Sequence, residues 1–342
     1  MRPHRIAVIA GDGIGPEVIE AAIPVLDCAA AKHGFALAWE RLPYSADHYL
    51  ATQETLPDPA FAHLRDDVDA IFLGAIGDPR VPGNEHARDI LLGLRFRLDL
   101  YINFRPVQLL HPEITPLKAA ANIDFVIFRE NTEGVYLGRG RVTGDEYIAE
   151  EVNTAHGVER IIRAAFAWAK AHGKTCVTMS DKSNAVPAHT IWRQQFKAVA
   201  AEYPGIIAEH RFVDALAMEL VRDPQRFQVI VTNNLYGDIL SDLGAGLVGG
   251  LGLAASANLH PGRAGLFEPV HGSAPPLAGR HVANPMAAIL TGALMVEQLG
   301  YPAAARDLER AVRAALADGV RTEDLGGSAS TATAATAVSQ RL

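Results

Sequence analysis

The sequence predicts an α/β fold with a substantially parallel sheet. Strand-like apolar runs alternate with longer helical segments over most of the chain. With 49% hydrophobic and 20% charged residues, the 342-residue chain has ample material for a sizeable core in one large or two ordinary domains. The chain also contains a literal G-x-G-x-x-G, Gly244 to Gly249, but in a context that does not fit a dinucleotide-binding turn. Such glycines must follow a strand directly and open a helix. Here the helical-looking "DILSDL" intervenes between the strand candidate "FQVIVT" and Gly244. The glycines are therefore read as a small-residue face for close packing.

The elements follow in order. "RIAVIAGDGIGPEVIEAAIPVLDCAAAKHG" reads as strand, glycine turn and helix, with Pro16 in the first helical turn and Glu17 at its positive dipole end. "DAIFLGAIG" and "DFVIFRENTEG" are buried strands. "HGVERIIRAAFAWAKAHG" is an amphipathic helix closed by Gly173, and "KTCVTMSDKSN" is a strand running into polar residues. "PAHTIWRQQFKAVAAEYP" is a helix, and "IIAEHRFVDALAMELVRDP" is a strand followed by a helix. "VANPMAAILTGALMVEQLG" and "AAARDLERAVRAALADG" are helices. The Ala-rich tail after Gly327 reads as a last helix, with Val338 and Leu342 one turn apart. No flexible linker divides the chain. Polar strand-end loops concentrate in its middle third, which suggests a site built by a central domain and flanked by a domain made from both chain ends.

Net charge is −8, and no Lys/Arg block stands out, which argues against nucleic acid and anionic membranes as partners. No apolar window is long enough for a membrane span, and the start reads as a first strand rather than a secretory signal. Cys28 and Cys176 form neither a C-x-x-C nor a zinc spacing, so they are expected to be free thiols in a reducing cytoplasm.

Several residues could carry chemistry. Arg95, Arg105 and Arg129 lie beside apolar residues, where paired N–H groups could bind carboxylates; any one of them taken alone reads more readily as a surface arginine, as Arg97 does. Asp238 and Asp242 project from one helical face, one turn apart. Two carboxylates there repel unless a cation such as Mg²⁺ or Mn²⁺ lies between them, and Asp214 could supply a third. Spacing alone fits a helix-terminal acid and a solvated face just as well. Lys182, after a buried strand and near cations, could act as a base, and Tyr136 as a proton donor.

Seven motifs occur in order: "GDGIGPEV", "LLGLR…NFRP", "RENTEGVY", "DKSN", "NNLYGDILSDL", "EPVHGSAP" and "ANP". Together they resemble the β-decarboxylating dehydrogenases, which act on isopropylmalate, isocitrate, homoisocitrate, tartrate or D-malate. The resemblance implies that family's two-domain fold, a large mixed sheet flanked by helices and distinct from the Rossmann fold. It implies an outer, cofactor-binding domain over 1–100 and 255–342, and a central domain over 101–254 with metal, catalytic and dimer-interface residues. It further implies a homodimer with shared active sites, NAD (or NADP) as oxidant and a bound Mg²⁺ or Mn²⁺. The residues at matching places are Ile14, Asn184, Glu268, His271, Gly272, Ser273, Ala274 and Asn284 for the cofactor, and Arg95, Arg105 and Arg129 for the substrate. Asp238 and Asp242 match metal ligands of one subunit and Asp214 that of the other, while Tyr136 and, across the interface, Lys182 match the catalytic pair. In such a reaction Lys182 relays the substrate hydroxyl proton while hydride leaves C2, and Tyr136 protonates C3 after CO₂ departs.

Two departures stand out. Pro276 and Leu277 occupy the place of an Asp-Ile pair, so an acceptor for the adenosine ribose is missing, along with a charge that repels a 2′-phosphate. The end "RTEDLGG" nonetheless resembles NAD-dependent members. In the segment that meets the substrate's variable arm, Leu91 and Leu92 resemble the apolar wall of isopropylmalate enzymes. Arg88 stands where those enzymes carry Glu. It could bind an anionic arm, or it could face solvent or pair with Asp89 or Glu85.

Overall fold

The structure is a computed structural model that describes residues 2–118 and 122–342. The chain divides into two units: Met1–Asp99, Leu110–Ile114 and Gly249–Leu342 form the first, and Leu100–Leu109 with Thr115–Val248 form the second.

The first unit opens with β1 (His4–Ile9), α1 (Gly15–Lys32), β2 (Leu37–Leu42), α2 (Ala46–Thr52), α3 (Asp58–Asp66) and β3 (Ala70–Leu73). Next come α4 (Glu85–Ala87) and α5 (Gly93–Arg97), joined by a π-helical turn over Arg88–Leu92. The second unit contains β4 (Ile102–Gln108), β5 (Asp124–Glu130), the hairpin β6 (Gly140–Thr143) and β7 (Glu146–Ala149), α6 (Ala155–Ala171), β8 (Cys176–Asp181) and α7 (Thr190–Ala200). It continues with β9 (Ile207–Phe212), α8 (Val213–Arg222), β10 (Val229–Thr232) and α9 (Asn234–Leu247). The chain then returns to the first unit with β11 (Ala255–Leu259), β12 (Gly265–Pro269), α10 (Met286–Gln298), α11 (Pro302–Ala317) and α12 (Thr331–Ser339).

Each unit holds a mixed, mostly parallel sheet. In the first the order is β2-β1-β3-β12-β11, parallel except for β11. In the second it is β4-β5-β10-β8-β9, parallel except for β4. Helices cover such strands on both faces, so β3 ("AIFL") and β10 ("VIVT") are buried at every position. The helix α10 is apolar nearly all round and accordingly buried along its length, whereas α6 buries one stripe, Val158, Ile161, Ile162, Ala165, Phe166 and Ala169. Within each unit parallel strands leave their carboxyl ends at one edge: in the first, "GDGIG" follows β1, and in the second, Lys182 follows β8 and Asn233 follows β10.

Two details refine the expectations from sequence. The tail does form a helix, but α12 ends at Ser339, so Leu342 lies beyond it; the buried stripe is Thr331, Ala334, Ala335, Ala337 and Val338. The G-x-G-x-x-G is no phosphate turn. Gly244 and Gly246 sit inside α9, and a Cβ on Gly244 would lie 2.8 Å from Val107 of β4, so the glycine serves close packing. Among the described residues no helix is long and apolar enough to cross a membrane, and both cysteines are free.

Candidate active site

In the second unit the side chains gather on α9. Asn233 caps this helix, its side-chain oxygen accepting from the Tyr236 N–H at 2.9 Å, and helical periodicity then places Asp238 and Asp242 on one face. Arg129, at the end of β5 and 1% exposed, crosses the helix. Its NH1 donates to Asp238 Oδ1 at 2.6 Å, and its Nε and NH2 donate to Asn234 Oδ1 at 3.0 and 2.8 Å. Arg105 of β4 donates from Nε to Asn103 Oδ1 at 2.7 Å and from NH1 to Ser241 Oγ at 2.7 Å, with Asp242 Oδ1 at 3.4 Å. Tyr136, in a 3-10 turn over Gly134–Leu137, donates its hydroxyl to Asp238 Oδ2 at 2.6 Å. Three of the predicted site side chains, Arg105, Arg129 and Tyr136, thus meet around a fourth, Asp238, with Asp242 beside Arg105.

Gly237 explains how Arg129 can cross α9. A Cβ there would lie 2.5 Å from Arg129 Cγ and 2.6 Å from its Cβ. Gly237→Ala gains up to about 1 kcal/mol in helix propensity but collides with the root of a buried side chain. The net expectation is a destabilisation of about 1–3 kcal/mol and a loss of about 10²-fold in kcat/KM as Arg129 shifts. Denaturant unfolding and steady-state kinetics measure both, and a fully active alanine variant would contradict this role.

The donor set on α9 suits a hard divalent cation. Asp238 and Asp242 offer only oxygens, and both are partly exposed. Burial pushes the Asp242 carboxyl above its ordinary value, with Arg105 opposing and Asp238 adding to the rise. A cation between the two acids would relieve that repulsion. Among the described residues no three His, Cys, Asp or Glu side chains gather as a metal site within the chain. Asp214, at the start of α8, pairs instead with Lys182, its Oδ1 2.7 Å from Nζ. That bond, first among its causes, holds Asp214 below the ordinary carboxylate range. The described partner of Lys182 is therefore an anion, where the sequence suggested cations. Asn184 lies exposed in the turn that follows.

In the first unit Arg95, 5% exposed, donates to Glu268 Oε1 at 2.6 Å, and Asn258 Nδ2 donates to the same oxygen at 3.0 Å. Glu268, matched by sequence to the cofactor, is thus the buried partner of an arginine matched by sequence to the substrate. Among the described residues the Arg95 Nε–H has no acceptor. Five of the cofactor candidates, Ile14, His271, Gly272, Ala274 and Asn284, line a cavity of about 590 Å³; Asn184 and Glu268 do not. Ser273 stands beside it, its carbonyl accepting from the Ile14 N–H at 2.8 Å. A Cβ on Gly13 would lie 1.9 Å from that carbonyl, so the approach of these two loops requires glycine. Burial lowers the His271 pKa, which keeps the ring neutral, and among the described residues its Nε2 has no partner.

Sequence reasoning gave no weight to Asn234, the clamp of Arg129, although the doubled Asn in "NNLYGD" hinted at more than a cap. Glu323 and Asp324 also line the cavity, and Asp324 Oδ2 accepts from Asn284 Nδ2 at 3.1 Å. Pro276 sits exposed in the turn Pro275–Leu277, whose Leu277 lines the cavity. In the arm segment Arg88 is 70% exposed with Asp89 3.9 Å away, Leu91 and Leu92 are half-buried, and Glu85 instead accepts from the Tyr49 hydroxyl at 3.2 Å.

Comparison with known proteins agrees with this chemistry. A family model described as isocitrate/isopropylmalate dehydrogenase matches residues 5–340. The 3-isopropylmalate dehydrogenase of Beutenbergia cavernae is 47% identical over 319 residues, 91% of this chain and 92% of that one. That of Leifsonia xyli is 46% identical over 328 residues, 92% and 91% of the two chains. The crystal structure of isocitrate dehydrogenase from Methylococcus capsulatus matches with a TM-score of 0.90 at 39% identity, over 99% of both chains. The chain therefore belongs to the isocitrate/isopropylmalate dehydrogenase family.

Proposed function

We propose that this enzyme catalyses the metal-dependent oxidative decarboxylation of a 3-substituted (2R)-malate to a 2-oxo acid and CO₂, with 3-isopropylmalate as the leading substrate and NAD as the oxidant. The observation that carries this reading is the cluster on α9, where two acids one turn apart stand beside two buried arginines and a tyrosine. Relatives 46–47% identical are named 3-isopropylmalate dehydrogenases, which supports the substrate.

The roles follow from the chemistry. Arg95, Arg105 and Arg129 bind the substrate carboxylates, held rigid by the buried Glu268, Ser241 and Asn234 respectively. Asp238 and Asp242, joined by Asp214 of a second copy, would hold Mg²⁺ or Mn²⁺, which would acidify the 2-hydroxyl and stabilise negative charge during loss of CO₂. Lys182, acting across the dimer, takes the hydroxyl proton, and Tyr136 delivers a proton to C3. Ile14, Asn184, His271, Gly272, Ser273, Ala274 and Asn284 hold NAD. Glu323 and Asp324 supply the negative charge missing at Pro276, which disfavours a 2′-phosphate. The exposed apolar side chains of Val142 and Tyr147 on the hairpin, Met218 and Val221 on α8 and Ile239 on α9 suit a homodimer interface. Two free thiols suit a reducing cytoplasm. The test is a panel of 3-isopropylmalate, isocitrate, homoisocitrate, D-malate and tartrate, each with NAD and NADP. No turnover on any of them would reject the proposal.

A second reading, an anionic arm, is favoured by the exposed Arg88 on the same turn as Leu91 and Leu92. Two variants separate the readings. If Leu92 walls an apolar arm, Leu92→Ala weakens kcat/KM for 3-isopropylmalate by about 1–3 kcal/mol. If Arg88 binds an anion, Arg88→Ala costs about 2–4 kcal/mol on a carboxylate-armed substrate and leaves the isopropyl one nearly untouched. Equal small effects in all four combinations would remove both residues from the arm pocket.

A further inference from the structure

Behind Lys182 lies a buried histidine that the reaction as described does not use. His189 closes the 3-10 turn Pro187–His189 and is fully buried. Its Nδ1 lies 3.2 Å from the Lys182 backbone nitrogen, and its Nε2 lies 2.8 Å from Glu151 Oε1. A backbone N–H can only donate and a carboxylate only accept, so the two neighbours together fix the tautomer: Nδ1 accepts from Lys182, and Nε2–H donates to Glu151. A doubly protonated ring would break the first bond.

Glu151 Oε1 has further work. It accepts from Asn233 Nδ2 at 3.1 Å, and Asn233 is the residue whose side-chain oxygen caps α9. It also accepts from Asn153 Nδ2 at 3.2 Å, and Asn153 in turn accepts from the buried Trp192 indole of α7 at 2.9 Å. The ring of Tyr236, in the first turn of α9, meets the His189 ring edge-on with centroids 5.5 Å apart. The hydrogen bond from His189, ahead of the other causes, holds Glu151 below the ordinary carboxyl range, so it persists as the charged acceptor that all three donors need.

We propose that His189 and Glu151 are positioning residues that tie the backbone of Lys182 to the cap of α9, and so fix the proton acceptor and the metal-bearing helix relative to one scaffold. The proposal rests on the roles given above to Lys182, Asp238 and Asp242. Neither His189 nor Glu151 touches reactants. Other bonds shape the Lys182 turn, from Ala185 and Val186 N–H to the Lys182 carbonyl at 2.9 and 2.8 Å, but its own N–H is given to His189. If active sites are shared in a dimer, the relay also joins, within one chain, the lysine serving one site to the aspartates serving the other.

The test uses two substitutions of similar polarity. Asparagine at 189 can place an acceptor near the position of Nδ1, facing Lys182; glutamine reaches only toward the position of Nε2, facing Glu151. His189→Asn keeps the bond to Lys182 but loses the one to Glu151, and His189→Gln does the reverse, so each breaks the tie and each is expected to lose about 10- to 100-fold in kcat with KM nearly unchanged. The isotope effect from substrate deuterated at C2 is expected to rise in both variants, because the step that Lys182 assists becomes more rate-limiting. Melting temperatures measured in parallel supply the control. A purely structural histidine would give kcat losses that follow the melting temperature in both variants, and that result, or full activity in either variant, overturns the proposal. Glu151→Ala, which removes the shared acceptor, is expected to lower kcat and weaken Mn²⁺ binding together, each by about tenfold. Loss of only one would break the claimed link. Retained turnover in Lys182→Met would sink the role of the lysine by itself, whatever the His189 pair shows.

Discussion

Removal of divalent cations is expected to stop turnover, with a loss of at least about 10³-fold restored by Mn²⁺ or Mg²⁺, since a cation of this kind supplies several kcal/mol of charge stabilisation. The reason lies on α9. Asp238 and Asp242 share one helical face, and Asp242 is pushed toward protonation by burial and by its neighbouring acid. Arg105 NH1, 3.5 Å from Asp238 Oδ1 and 3.4 Å from Asp242 Oδ1, offsets the two acids only in part, since burial still raises the Asp242 pKa; a divalent cation would supply the remaining positive charge. Binding can be read without turnover: at a Mn²⁺ concentration 100 times its dissociation constant, the folded state gains about 2.7 kcal/mol, which raises the melting temperature. Asp242→Asn is expected to lose most of that gain. Full activity in metal-free enzyme would remove the metal assignment, and an unchanged melting response in Asp242→Asn would move the cation elsewhere.

Lys182→Met is expected to lose about 10²–10⁴-fold in kcat, the range for a positioned proton acceptor, with the fold intact. Among the described residues the ion pair lost is that with the exposed Asp214, and exposed pairs contribute little, so unfolding should change by less than about 1 kcal/mol. The same variant tests the sharing of sites. In this chain Lys182 pairs with Asp214, while Tyr136 pairs with Asp238. If the first pair serves the partner's site, a mixed dimer of Lys182→Met with Tyr136→Phe holds one intact site, and activity should return in part on mixing two inactive proteins. A mixed dimer that forms and stays inactive counts against shared sites.

The sequence by itself determined what local periodicity can encode. Alternating apolar strands and amphipathic helices gave the α/β class, because a strand covered on both faces must be apolar throughout, as β3 and β10 are. The i, i+4 spacing was enough to place Asp238 and Asp242 on one face, and the order of seven motifs was enough for the family. The glycine run could be dismissed because a phosphate turn has a fixed local context, which the run lacked. Only the tertiary structure decided which side chains face one another. Arg95 meets Glu268 and Arg129 meets Asn234 across more than a hundred residues of sequence, and Gly237 is required by an arginine on another element. Nothing in the spacing of His189, Glu151 and Asn233 announces that they share hydrogen bonds behind Lys182. Periodicity fixes the face on which a side chain lies, whereas its partner is set by how strands order in the sheet, and strand order is a property of the packed chain.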